Sequence, residues 1–108
     1  MTTLEQARAA ALALPEAVEA DHHGRASFRV GGAIFATVPA PGRLNVMVDA
    51  AGVRTHVERD PHAYSEVWWG GRLAAVGVEL ALVEPAALAE LLADAWERRA
   101  PARLSARR

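Results

Sequence analysis

Apolar positions in this chain recur with two different spacings, and the change from one to the other marks out the elements. Leu4, Ala7, Ala11 and Leu14 repeat at helical spacing behind Thr3, a residue suited to cap a helix, and Pro15 stops the run. A short acidic stretch, Glu16 to Asp21, follows. Ala26, Phe28 and Val30 then alternate with Arg25, Ser27 and Arg29, the period-two signature of a half-buried strand. Gly31-Gly32 supplies the positive φ angles of a tight hairpin, with Ala33 to Val38 returning as partner. After a turn at Pro39 to Gly42, Leu44, Val46 and Val48 alternate along Arg43 to Val48 and complete a meander of at least three antiparallel strands. Asp49 is placed to cap a helix over Ala50 to Arg59, weakened by Gly52 and ended at Asp60-Pro61.

From Asp60 to Gly71 no period holds, and the stretch, with Trp68-Trp69 and two glycines, is expected to be an ordered loop. Arg72 to Leu80 reads as the next strand. The last helix opens at Glu84-Pro85 and aligns Leu88, Leu91, Leu92, Ala95 and Trp96 on one stripe, with Pro101 closing it before a tail expected to fray. Turns of two to four residues force the meander strands to be antiparallel. The expected fold is therefore α+β, a two-layer sandwich with an antiparallel sheet packed against the two terminal helices. It divides into one domain over residues 1–100 and a basic C-terminal tail, 101–108.

The hairpin register decides which residues share a sheet face. A two-residue Gly-Gly loop pairs Val30 with Ala33 and Phe28 with Phe35, leaving Arg25, Ser27 and Arg29 beside Ile34, Ala36 and Val38. A three-residue loop would put Ile34, Ala36 and Val38 on the face of Phe28 instead.

Composition narrows the chemistry. The chain has 108 residues and no cysteine, which removes thiolate zinc sites, iron-sulfur clusters and thiol catalysis. No run approaches the ~20 apolar residues of a membrane span, and the opening segment is not a leader, so a cytoplasmic protein without membrane attachment is expected. Twenty-five alanines, with twelve arginines and no lysine, read as genome composition. The net charge of −1 conceals an asymmetry: residues 1–97 carry seven arginines against thirteen carboxylates, a net of −6, while Arg98, Arg99, Arg103, Arg107 and Arg108 give the last eleven residues +5. That end is either a helix terminus with a solvated tail or a small anion-binding arm.

Leu14-Pro15-Glu16-Ala17, His23-Gly24-Arg25-x-Ser27-Phe28, Gly31-Gly32, Phe35-Ala36, Asp94-Ala95-Trp96 and Ala100-Pro101, in that order along nearly the whole chain, resemble the MmcQ/YjbR family of small bacterial proteins. The resemblance implies an antiparallel sheet packed on helices, similar to secretion-chaperone-like domains, and a DNA-binding role. Where relatives often have proline this chain has Ala26, where they often have lysine after the paired glycines it has Ala33, and the strand before Asp49 lacks their lysine.

Catalysis finds little support in the spacing. Ser27 meets His23 only if the strand bends at Gly24, and no carboxylate is spaced to orient the imidazole. His22 and His23 on extended chain point apart and share an ion only if the chain turns; His56 and His62 join them only through the fold. No catalytic residue, metal ligand or cofactor is therefore expected. Arg25 and Arg29 point together from one strand face with Ser27 between them, and form either a clamp for carboxylate or phosphate or a solvated face paired with neighbouring acids. Trp68 and Trp69 face opposite ways, so one is exposed for a ligand or partner unless, as favoured for Trp69, it packs on the sheet. The candidate nucleic-acid or anion site thus comprises His23, Arg25, Ser27, Arg29, Arg72, Arg98, Arg99 and Arg103, with Trp68 and Trp69 as a candidate ligand or partner surface. The expected function is a non-catalytic module that binds DNA weakly and without sequence preference. The alternative is an interaction module for a protein partner or small anionic ligand, using the free sheet face and the Trp loop. The chain is expected as a monomer or weak homodimer.

Overall fold

The computed structural model describes residues 1–105. Six strands form one antiparallel sheet: β1 (Val18–His22), β2 (Arg25–Val30), β3 (Ala33–Ala40), β4 (Arg43–Val46), β5 (Tyr64–Trp69) and β6 (Arg72–Glu79), in spatial order β1-β2-β3-β4-β6-β5. Helices α1 (Leu4–Leu12), α2 (Ala50–Arg59) and α3 (Pro85–Arg99) complete the domain, with a single turn, α4 (Ala102–Ser105), after them. The expected α+β architecture is present, with helices α2 and α3 against the sheet: α3 lies on β3 and β4, α2 on β5 and β6, and α1 packs against α3. No helix among the described residues is long and apolar enough to cross a membrane.

Local chemistry explains the helix boundaries. Thr3 and Gln6 exchange side-chain and backbone hydrogen bonds in a capping box at the start of α1, and Asp49 accepts from the Gly52 N–H to start α2. Pro85 occupies the first turn of α3, where its missing N–H costs nothing. The stripe on α3 buries Leu88, Leu91, Leu92, Ala95 and Trp96 against Phe28, Phe35, Leu44, Val46 and Val76 of the sheet. Trp96 is 0% exposed, and its indole N–H donates to the Pro15 carbonyl at 3.0 Å, tying α3 to the chain beyond α1.

Several expectations need correction. The acidic stretch after Glu16 is an edge strand, β1, and the expected loop before Gly70 contains the other edge strand, β5. The Gly31-Gly32 loop is two residues long and pairs Val30 with Ala33, but the register shifts between Phe28 and Arg29. Phe28 therefore opposes Ala36 rather than Phe35. The bulge reconciles the two registers, because both phenylalanines are buried while Ala36 and Val38 also join the core. The tail is not frayed in its described part: α4 buries Leu104 to 2% exposure, and Arg103 holds Glu16 in a two-armed contact at 3.1 and 3.2 Å. Arg107 and Arg108 lie outside the described residues.

Candidate anion site

At one end of the sheet three separate chain segments deliver arginines to one place. The β5–β6 hairpin turns through Gly70 and Gly71, whose φ angles of +57° and +79° are accessible to glycine without strain, and so presents Trp68 and Trp69 on one side of the turn and Arg72 on the other. Helix α2 contributes Arg54. The last turn of α3 contributes Arg98 and Arg99, where cations also complement the helix dipole. Together Arg54, Arg72, Arg98, Arg99 and Trp68 line a hollow of about 540 Å³, and no Asp or Glu lines it among the described residues.

A second hollow, about 340 Å³, adjoins the first through Arg99 and is lined by His22, Arg29, Thr37, Met47 and Trp69. The two tryptophans thus line different hollows, as adjacent residues of a strand do when their side chains alternate. Both are exposed, Trp68 by 52% and Trp69 by 47%, so the packing role favoured for Trp69 is not what the structure has. Trp68 is steadied by its indole N–H, which donates to Glu66 Oε1 at 3.0 Å.

The electrostatics of the shared residue set this place apart. Arg99 Nε is buried without a hydrogen-bond partner. Burial lowers the Arg99 pKa, and the positive charges of Arg98 and Arg72 lower it further. The ion pairs made by arginines among the described residues lie elsewhere: Arg8 with Glu5 and Glu19, Arg43 with Glu79, and Arg103 with Glu16. Arg98 donates to the Met47 carbonyl at 3.3 Å, which fixes its position without neutralising it. On its other side Arg98 borders a separate hollow that Asp49, Asp94 and Glu97 also line. A larger open hollow of about 730 Å³ between α2 and α3 mixes His56 and Arg59 with Asp60, Glu84, Glu90 and Asp94. Its volume is greater, but charges of both signs line it and no single ligand charge is favoured.

Of the residues singled out in the sequence, Arg29, Arg72, Arg98, Arg99, Trp68 and Trp69 come together here, while four do not. Arg25 donates to the Pro39 carbonyl and borders a shallow hollow with Glu19 and Asp21, away from Arg29. Arg29 instead donates to Ser27 Oγ at 3.1 Å and to the Asp21 carbonyl at 3.2 Å, so the clamp of two guanidiniums, one of the two arrangements open to this pair, does not form. Ser27 is fully buried and its hydroxyl donates to the Ala20 carbonyl at 2.8 Å. His23 sits in the β1–β2 turn with φ of +55°, which brings its ring within 4.4 Å of His22 rather than leaving the two on opposite faces. No group of three or more metal-ligating side chains occurs among the described residues. Arg103 is held by Glu16. Arg54 was not anticipated, since it belongs to an unremarkable helix face and nothing in its spacing links it to Arg72 or Arg98; His22 was weighed only as a metal ligand.

The YjbR family model matches residues 12–98, spanning β1 to the last turn of α3. The chain belongs to the YjbR family. Among solved structures, the Deinococcus radiodurans protein DR2400, which has a domain of the DUF419 family model, is similar with a TM-score of 0.78 and 22% identity, over 91% of this chain and 78% of that one. At that identity the likeness concerns the fold, which this YjbR domain shares. No curated protein matches the chain.

Proposed function

We propose that this YjbR domain is a non-catalytic module that binds the phosphates of DNA, weakly and without sequence preference, at the Arg54, Arg72, Arg98 and Arg99 cluster. One observation carries the reading: Arg54, Arg72, Arg98 and Arg99 converge on one hollow, where Arg98 and Arg72 disfavour the charge on the half-buried Arg99, a repulsion that a bound anion relieves. The acidic balance of the body does not oppose it, because no carboxylate lines the arginine hollow among the described residues. The binding surface is this cluster rather than the tail, whose Arg103 is already engaged. A buried Ser27 hydroxyl that donates to a backbone carbonyl supports a binding role over catalysis, since it is neither accessible nor paired with a base.

The test is a salt titration with a labelled duplex. Four neutralised phosphates give a slope of log K against log salt near about −3.6, and replacing Arg54, Arg72 and Arg98 together by alanine reduces it toward about −0.9. Base sequence leaves the affinity unchanged. Absence of duplex and single-strand binding at low salt, or a slope untouched by the triple substitution, overturns the proposal. A second reading, a small anionic ligand, is favoured by a hollow of about 540 Å³, within the usual range of small-molecule sites. Inorganic pyrophosphate that binds where DNA does not would select it.

A further inference from the structure

Resting on that reading, we infer that the nucleic acid this site takes is single-stranded, with unpaired bases stacked on Trp68 and Trp69 and the intervening backbone held at Arg99. Two large indoles, each about half exposed, end an edge strand next to the arginine cluster. A soluble domain gains nothing by leaving them in water, and paired bases offer no free ring face to meet them. Each tryptophan lines a different hollow, and the two hollows share Arg99. Each hollow thus combines an aromatic platform with cations: Trp69 with Arg29 and Arg99 in one, and Trp68 with Arg54, Arg72, Arg98 and the same Arg99 in the other. That combination matches a flexible strand, in which bases and phosphates separate, each finding its own contact. A duplex is a rigid convex rod, whereas a flexible strand can follow both hollows past the Arg99 they share. The hydrogen bond from Trp68 to Glu66 holds the first platform in place before any ligand arrives.

The experiment compares a labelled oligodeoxythymidine with the same strand in duplex with oligodeoxyadenosine, at equal salt, using the full chain. The single strand is expected to bind at least about tenfold tighter and to quench tryptophan fluorescence, and Trp68→Ala and Trp69→Ala each to weaken it by about tenfold with little change in salt slope. Trp68→Phe, which keeps a ring, retains most of the affinity. Both tryptophans are about half exposed and outside the buried core, so the variants should keep the wild-type circular dichroism spectrum. Equal or tighter duplex binding that survives both alanine substitutions overturns this inference and leaves the phosphate-binding reading standing. Failure of both probes to bind overturns both.

Discussion

Replacing Arg99 by methionine should make this protein more stable and less able to bind. Methionine keeps an unbranched apolar stem for the contacts the arginine side chain makes, while removing a buried Nε that has no partner. Leaving such a group unsatisfied costs about 1–3 kcal/mol. Against this, the last turn of α3 loses one favourable cation at the helix terminus, worth about 0.3–1 kcal/mol, although Arg98 remains there. Relief of the repulsion from Arg98 and Arg72 adds to the gain. The balance is a stabilisation of about 1 kcal/mol, or about 4–8 °C in Tm for a domain of this size. Urea and thermal unfolding followed by circular dichroism, in ligand-free buffer of moderate ionic strength, give the first half of the comparison. The second half adds the oligonucleotide at about one hundred times its Kd, which stabilises the wild type by about 2.7 kcal/mol through mass action and should do much less for Arg99→Met. A variant that is less stable than the wild type without ligand, yet gains as much from the oligonucleotide, would refute the idea that Arg99 is strained for the sake of an anion.

Two further outcomes follow from the packing. Leu104→Ala should cost about 2 kcal/mol or more, read as a shift of the urea midpoint, because this residue of the tail is buried in the core; a change under about 0.5 kcal/mol would mean that α4 does not stay docked. Burial raises the Tyr64 phenol pKa above its ordinary 10.0, Asp60 adds to the shift and Arg59 opposes it. The unfolded chain therefore loses this proton first, so stability falls as pH rises from about 10 through the raised value, and Tyr64→Phe should lose less between about pH 9 and pH 11; equal losses in both proteins would count against it.

What the sequence revealed and what it concealed divide along physical lines. Elements with one wet and one dry face were legible: α2 runs from Ala50 to Arg59 behind its Asp49 cap, and the α3 stripe is the stripe that is buried. The two edge strands were not, for the same reason in each. In β1 neither face is fully buried, and the alternation of Val18 and Ala20 with Glu19 and Asp21 rests on only two small apolar residues inside an acidic stretch; in β5 the register shift between Val67 and Trp68 breaks the period where it would have been counted. The shift at Phe28 likewise could not be inferred, since both ends of that hairpin read as ordinary strands. The candidate site was half visible. Arg98 and Arg99 stood out as a charge run and Trp68-Trp69 as an oddity, but only the fold joins them to Arg54 and Arg29, which come from segments 44 or more residues away from Arg98. The choice between the two arrangements open to Arg25 and Arg29 was not legible, because period-two spacing gives a direction and not a partner: a nearby carbonyl took each guanidinium.

The docking of α1 on α3 has a consequence for how the protein comes into being. Helix α1 is nine residues long, too short to persist alone in water, and what holds it is supplied from the far end of the chain: Leu80 and Val83 receive hydrogen bonds from Thr2, and Trp96 reaches the Pro15 carbonyl. During synthesis α1 thus leaves the ribosome well before the segments that hold it, and is among the last elements that can settle. At about 5–20 residues per second, some 80 residues of delay leave it without its partner for about 4–16 s, while the meander of β2, β3 and β4 can already pair through short turns. The N-terminal segment is alanine-rich and only modestly apolar, a composition that tolerates the wait in water without offering much surface on which unfinished chains could adhere to one another.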